Sequence, residues 1–324
     1  MKTNLNVEDP CFFYEVYGLA IRSEFPLPEL RTVTPSLEMP TCDYDVTIRM
    51  GKVPEQIRGG KWILPYFQQG GTSCLIKINN ICRFLLRNSN EVIVEVFEGV
   101  PLSDVRGFLF GSVLGALLHQ RNILPFHLGA IDAPFGSVAL TGQSGAGKST
   151  LTMHIQQLTD WPVICDDVAI TQNHQGKTTL VSGVNRVKVW EDALDALGLD
   201  SSGLARDVTR YNKFHVTGPN LFSNSKQELK VLFIIENGKG FSATRLSGAE
   251  KFRAVMNSIY RPELVGLYWK LQDAIELCAA IAQTITVIQV KREKTEFTAA
   301  EAAELILREV ESYRREDLKR RTQV

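Results

Sequence analysis

The chain lacks a charge excess of either sign, since 36 lysines and arginines meet 36 aspartates and glutamates over 324 residues. A balanced chain carries no electrostatic footprint for nucleic acid or an anionic membrane surface, so neither is an expected partner. Paired cysteines are missing as well. Cys11, Cys42, Cys74, Cys82, Cys165 and Cys278 are scattered, with no C-x-x-C pair and no histidine at metal-ligand spacing. That is the pattern of reduced thiols rather than of a disulfide or zinc framework. No apolar run approaches the ~20 residues that cross a bilayer; the most apolar stretch, Gly107 to Leu118, is uncharged for only twelve residues. The opening MKTNLNVEDP has acidic residues and a proline where a signal peptide carries its apolar core. These absences set the expectation of a soluble, cytoplasmic protein.

A hydrophobic content of 44% and a charged content of 22% suit a globular chain long enough for two cores. In the first half, Phe12 to Tyr17, Asp45 to Arg49, Cys74 to Ile78, Arg83 to Arg87 and Val92 to Phe97 read as strands. Asn79-Asn80 sits where a hairpin turn belongs, and Pro26, Pro28, Pro35, Pro40, Pro54 and Pro65 punctuate loops. Residues 1–100 are therefore expected to form a small antiparallel β-rich domain without a catalytic constellation. Ser103 reads as the N-cap of a connecting helix within residues 101–122, with His119 a surface or capping residue at its end.

From Ile123 strands and helices alternate, so residues 123–324 read as an α/β domain. Its expected parts include one strand from Pro162 to Ile170, a capping box at Ser247 to Glu250, an amphipathic helix from Pro262 to Ala282 and a helix capped at Thr298. Within it, Leu140 to Thr150 spells LTGQSGAGKST, in which Gly142, Gly147, Lys148 and Ser149 fit G-x-x-x-x-G-K-[ST] between a strand and a helix. In such a loop the glycines let successive N–H groups face phosphate oxygens at a helix N-terminus. The nucleotide-binding residues are thus Gly142, Gln143, Ser144, Gly145, Ala146, Gly147, Lys148, Ser149 and Thr150. Lys148 bridges phosphates and Ser149 takes a position on Mg²⁺.

A phosphate loop needs acidic partners for metal and base. Asp166 and Asp167, after Val163-Ile164-Cys165, are the candidates for both. Successive strand residues face opposite ways, so both carboxylates reach one site only if the pleat relaxes there. Read alone, His127 on an apolar strand is a core residue.

The order His127-Leu-Gly-Ala-Ile131, the loop, then Ile164-Cys-Asp-Asp-Val168 resembles the catalytic domain of bacterial HPr kinase/phosphorylase. The fold class this implies is α/β: an HPr-kinase-like P-loop catalytic domain behind the β-rich N-terminal one. By the same resemblance His127 joins Lys148, Asp166 and Asp167 as a catalytic residue. One aspartate takes a proton from a serine hydroxyl while the other, with Ser149, holds the metal. Where that family carries a glycine-rich signature after the aspartates, this chain has Gly183-Val-Asn-Arg-Val-Lys-Val-Trp190.

Tyr14 to Leu30 and Arg186 to Trp190 are similar to the HPr kinase homologues of lasso-peptide clusters. That branch implies an ATP- and Mg²⁺-dependent kinase acting on a serine, typically C-terminal, of a ribosomal precursor peptide; related kinases form homo-oligomers. Arg186, Lys188, Arg210 and Lys213 are candidate contacts to the acceptor or the phosphates. Two alternatives stay open: a nucleotide-dependent ATPase or switch protein, and a kinase of a small-molecule hydroxyl such as free serine.

Overall fold

The protein is described by a computed structural model covering residues 11–34, 44–208, 210–218, 220–293 and 298–322. Residues 1–10, Pro35, Pro40, Cys42 and the side chain of Arg210, all singled out above, lie outside the described residues. The chain is mixed α/β with several sheets, and it divides into two compact units between Arg121 and Asn122. No helix among the described residues is long and apolar enough to cross a membrane.

In the first unit, strands β1 (Phe12–Val16), β2 (Leu19–Ser23), β3 (Arg31–Thr32), β4 (Val46–Met50), β5 (Lys61–Leu64), β6 (Phe67–Gly70), β7 (Ser73–Ile78), β8 (Cys82–Arg87) and β9 (Glu91–Val96) form one sheet. Its order is β3-β1-β2-β4-β9-β8-β7-β6-β5. The pairs β2–β4 and β4–β9 are parallel, so the expected antiparallel domain is corrected to a mixed sheet. Connection length is the reason: tight turns such as Asn79-Asn80 force antiparallel neighbours, whereas the long stretches separating β2, β4 and β9 permit crossovers.

The following helix is interrupted. Helix α1 (Leu102–Phe108) runs into a π-helical segment, Leu109–Val113, and then α2 (Leu114–Gln120). Pro101, not Ser103, stands at the N-cap, and His119 is fully buried rather than at the surface, because α2 is covered all round from Leu114 to His119. Arg106 and Arg121 tie these helices to the sheet's loops, through Glu29 at 2.9 and 3.0 Å and Asp45 at 2.8 Å.

The second unit contains β10 (Pro125–Phe126), β11 (Gly129–Ala133), β12 (Gly136–Gly142), α3 (Lys148–Thr159), β13 (Val163–Cys165), β14 (Ala169–His174), β15 (Lys177–Val181), β16 (Val187–Trp190) and α4 (Glu191–Ala196). There follow β17 (Ala205–Asp207), β18 (Arg210–Val216), β19 (Gln227–Asn237), β20 (Ser242–Arg245), α5 (Gly248–Asn257), α6 (Val265–Tyr268), α7 (Leu271–Thr284), β21 (Thr286–Arg292) and α8 (Thr298–Arg321). The main sheet runs β10-β14-β15-β19-β12-β11-β13, with β21 on β19 and β20 on β21.

Strands β19 and β21 alternate in a way that explains the layers. Val231, Phe233 and Ile235 face Leu151 and Ile155 of α3 and Ala302 and Ile306 of α8. Leu232 and Val287 face Val255 of α5 and Ala274, Cys278 and Ile281 of α7. Both faces are thereby covered, as the apolar run in β19 requires.

Three expected elements differ. The strand from Pro162 to Ile170 is two strands, β13 and β14, broken at the aspartates. The helix from Pro262 is a 3₁₀ turn, then α6 and α7, because Trp269 and Lys270 adopt extended backbone that hydrophobic spacing does not reveal. The expected cap at Ser247 does not form, since Ser247 makes no side-chain bond to α5.

Candidate active site

Strand β12 pairs parallel with β19 and antiparallel with β11, which in turn is antiparallel to β13. The C-terminal ends of β12 and β13 therefore lie at the same edge of the sheet. That topology, rather than closeness in sequence, brings Asp166 and Asp167 to the loop that leaves β12. At the start of the loop Gly142 has φ +151°, and a Cβ there would stand 2.4 Å from Ile235 O, so only glycine lets the two strand ends lie this close. Gln143, Ser144 and Gly145 are exposed at the tip, while Ala146 packs into the core.

Gly147 is the left-handed N-cap of α3, so the helix begins at Lys148 with its unsatisfied N–H groups and positive end at the loop. Lys148 Nζ donates to Gly142 O at 2.9 Å and to Gln143 O at 3.3 Å, across the mouth of the loop. Burial lowers its pKa, and the charges of Asp166 and Asp167 oppose that fall.

The two aspartates are held differently. Asp166, 8% exposed, accepts from Ser149 Oγ at 2.9 and 3.1 Å and from the Lys188 backbone N–H at 3.0 Å. Burial pushes its pKa up, the Lys188 N–H pulls it down and the charge of Asp167 pushes it up again; the result is above the ordinary carboxylate value. Asp167, two residues past the end of β13, has φ +76°, a left-handed conformation that breaks the strand's alternation, and the charges of both aspartates act on Lys148.

His127 Nε2 lies 3.3 Å from Asp167 Oδ1 and Lys188 Nζ lies 3.6 Å from Oδ2. Burial would raise the pKa of Asp167, but the hydrogen bond from His127 and the charge of Lys188 outweigh it and hold the group well below the usual carboxylate range. Its side chain keeps 32% of its surface, so this carboxylate, unlike Asp166, is open to a ligand. His127 is fixed through its backbone, donating to Ser258 O at 2.6 Å and accepting from Thr141 Oγ1 at 3.1 Å. Its ring packs edge-to-face with that of Tyr260, with centroids 5.9 Å apart.

Sequence reasoning named Lys188 and Asp167 but missed Asp207 and His215. Strands β16, β18 and β17 form a separate small sheet in which Lys188 pairs with His215 and His215 with Ala205. Lys188 Nζ lies 3.7 Å from Asp207 Oδ2, and His215 Nε2 lies 3.6 Å from the same oxygen. Burial lowers the pKa of His215 even though Asp207 raises it. Val187-Lys-Val-Trp190 and Phe214-His-Val216 carried the available signal, one polar residue between apolar ones, but nothing local says that the polar faces meet the aspartates.

The structure brings Lys148, Ser149, Asp166, Asp167, His127 and Lys188 together. Arg186 is buried and acts on Asp167 through its charge; Lys213 acts on Lys148 and Asp166, with its ammonium 5.0 Å from the Trp190 ring centre. A cleft of about 1220 Å³ opens from His127 and Gln143 past Asn237 and Lys291 to Glu250 and Arg253 on α5. Among the described residues no three His, Cys, Asp or Glu side chains form a metal cage. Ser149 Oγ and an Asp166 oxygen are a two-donor set, which suits an ion that takes its other ligands from water and phosphate, as Mg²⁺ does.

No family model matches the chain, and no curated protein matches it. Among solved structures it is similar to the Hpr(Ser) kinase/phosphatase from Coxiella burnetii over 58% of this chain and 97% of that one, at 10% identity and a TM-score of 0.32. A likeness that slight carries no weight beside the strand order and the site geometry of the chain itself.

Proposed function

We propose that this protein is a kinase that transfers the terminal phosphoryl group of ATP to an alcohol hydroxyl. The observation that carries this reading is the division between its two carboxylates: Asp166 is closed on the loop serine, while Asp167 is open and held ionised beside the cleft. The loop N–H groups and Lys148 bind the phosphates. Ser149 and Asp166 are the residues that would hold magnesium, which when bound neutralises the charge on the phosphate oxygens.

Asp167 accepts the acceptor's O–H, aims its oxygen at the phosphorus and takes up its proton. A carboxylate with so low a pKa is a weak base. In a loose phosphoryl-transfer transition state, however, positioning and electrostatics matter more than base strength. His127 and Lys188 fix the direction of that carboxylate from two sides.

The finer assignment is to a serine hydroxyl, C-terminal in a ribosomal precursor peptide of the lasso class, in the cytoplasm. It rests on the sequence resemblance of Tyr14 to Leu30 and Arg186 to Trp190, and the cleft of about 1220 Å³ is larger than free serine needs. The test is mass spectrometry of serine-ending peptides and of free serine after incubation with Mg²⁺ and ATP. One added phosphate on a peptide is expected, lost in Lys148→Ala and slowed at least about 100-fold in Asp167→Asn. ATP hydrolysis that proceeds as fast without any acceptor would overturn the kinase reading.

A further inference from the structure

Arg292, the last residue of β21, is 4% exposed, and neither its Nε nor its Nη1 has a hydrogen-bond partner among the described residues. Its side chain reaches the phosphate loop: Nη2 stands 2.6 Å from where a Cβ on Gly147 would lie. A guanidinium stays charged at any ordinary pH, and a buried charge normally has a counter-charge. The neighbouring cations are provided for, Lys148 by two loop carbonyls and Lys188 by two carboxylates. Among the described residues no carboxylate forms an ion pair with Arg292, and its Nε and Nη1 have no hydrogen-bond partner. Burial is what depresses its pKa, and the titratable side chain that feels its charge, His154 on α3, is lowered by burial and then by Arg292.

The positive end of the twelve-residue helix α3 points at the same place. Two cationic features thus converge on the backbone at Gly147, and the ligand chemistry that satisfies both is an oligophosphate.

We propose that Arg292 is a phosphate-binding residue of this loop, its guanidinium supplying donors and charge to the phosphate chain of the bound nucleotide. The inference rests on the nucleotide reading above and goes beyond it, because nothing in the loop motif calls for an arginine 145 residues downstream of Gly147. Arginine is suited to the task because its planar fork offers two parallel N–H donors to phosphate oxygens.

The experiment is titration calorimetry of the full chain with Mg²⁺–ATP and with inorganic tripolyphosphate, on wild type and Arg292→Met, together with the melting temperature of each ligand-free protein. Wild type is expected to bind both ligands, and Arg292→Met to bind both at least about tenfold more weakly. The ligand-free variant should melt at the same temperature or higher, since an unpaired buried charge has been replaced by an apolar chain of similar length. Unchanged affinity for both ligands, or a lower melting temperature with unchanged affinity, overturns the proposal in favour of a packing role. Weaker ATP binding with tripolyphosphate unaffected also overturns it, because Arg292 would then read the nucleoside.

If wild type binds neither ligand, the nucleotide reading itself fails and takes this inference with it. Should Arg292→Met not fold, Arg292→Lys carries the test. Loss of the fork should weaken both ligands about three- to tenfold, and equal affinity refutes the assignment.

Discussion

Replacing Asp166 by asparagine should stabilise the ligand-free protein while it destroys transfer. Asp166 is 8% exposed and its carboxylate is penalised by burial and by the charge of Asp167. The amide keeps the local geometry. Asn Oδ1 can accept from the Lys188 N–H, which needs an oxygen, and Nδ2 can donate to Ser149 Oγ, which rotates to accept. Removing a buried charge without orphaning its partners is worth about 1 to 2 kcal/mol, and each kcal/mol moves the melting temperature by roughly 2 to 4 °C in a domain of about 200 residues.

The sign with pH follows from the raised pKa. Below the unfolded value of about 3.9 both states carry the proton, so the burial penalty on the carboxylate is absent and the stability of the protonated site is fully present. As pH rises through the folded-state pKa the buried carboxylate must ionise, and wild type loses that stability. The advantage of Asp166→Asn should therefore be absent near pH 3.5 and complete at pH 7. Saturating Mg²⁺ and ATP should reverse the order, because wild type gains stability from binding that the variant gains only weakly. The assay is thermal unfolding across pH with and without ligand; a variant that melts several degrees below wild type at pH 7 without ligand would refute the reasoning.

Lys188→Met should act in the opposite direction. It removes the ammonium that lies 3.6 Å from the Asp167 carboxylate and 3.7 Å from that of Asp207, so a loss of about 3 kcal/mol in urea unfolding is expected along with lost transfer. Gly142→Ala should cost at least about 2 kcal/mol in the same measurement, because a Cβ would meet Ile235 O at 2.4 Å on backbone at φ +151°. Unfolding within about 0.5 kcal/mol of wild type would mean that the strand ends separate easily.

Much of the site was legible in the chain because its chemistry is local. The spacing of Gly142, Gly147, Lys148 and Ser149 specifies a turn, an N-terminus and a hydroxyl within one stretch, and the structure has that strand, loop and helix in that order. Periodicity likewise found β7, β8 and β19, whose apolar residues follow the pleat. It failed where one residue changes direction. Trp269 and Lys270 interrupt a well-patterned helix, and Asp167 ends a strand that its apolar flanks would continue.

What the sequence by itself determined is a set of local parts: a loop of G-x-x-x-x-G-K-[ST] spacing between a strand and a helix, an aspartate pair a short helix away, and a histidine before the strand. Only the tertiary structure decided which aspartate is closed on the loop serine and which stays partly exposed beside His127. That division comes from burial and from hydrogen bonds supplied by Ser149, His127 and Lys188, at distances along the chain from 17 to 40 residues. It alone also set Asp207 and His215 behind Lys188 and Arg292 against Gly147. Strand order places those side chains, and the chain states strand order nowhere, because pairing depends on surfaces that exist only once the sheet has formed.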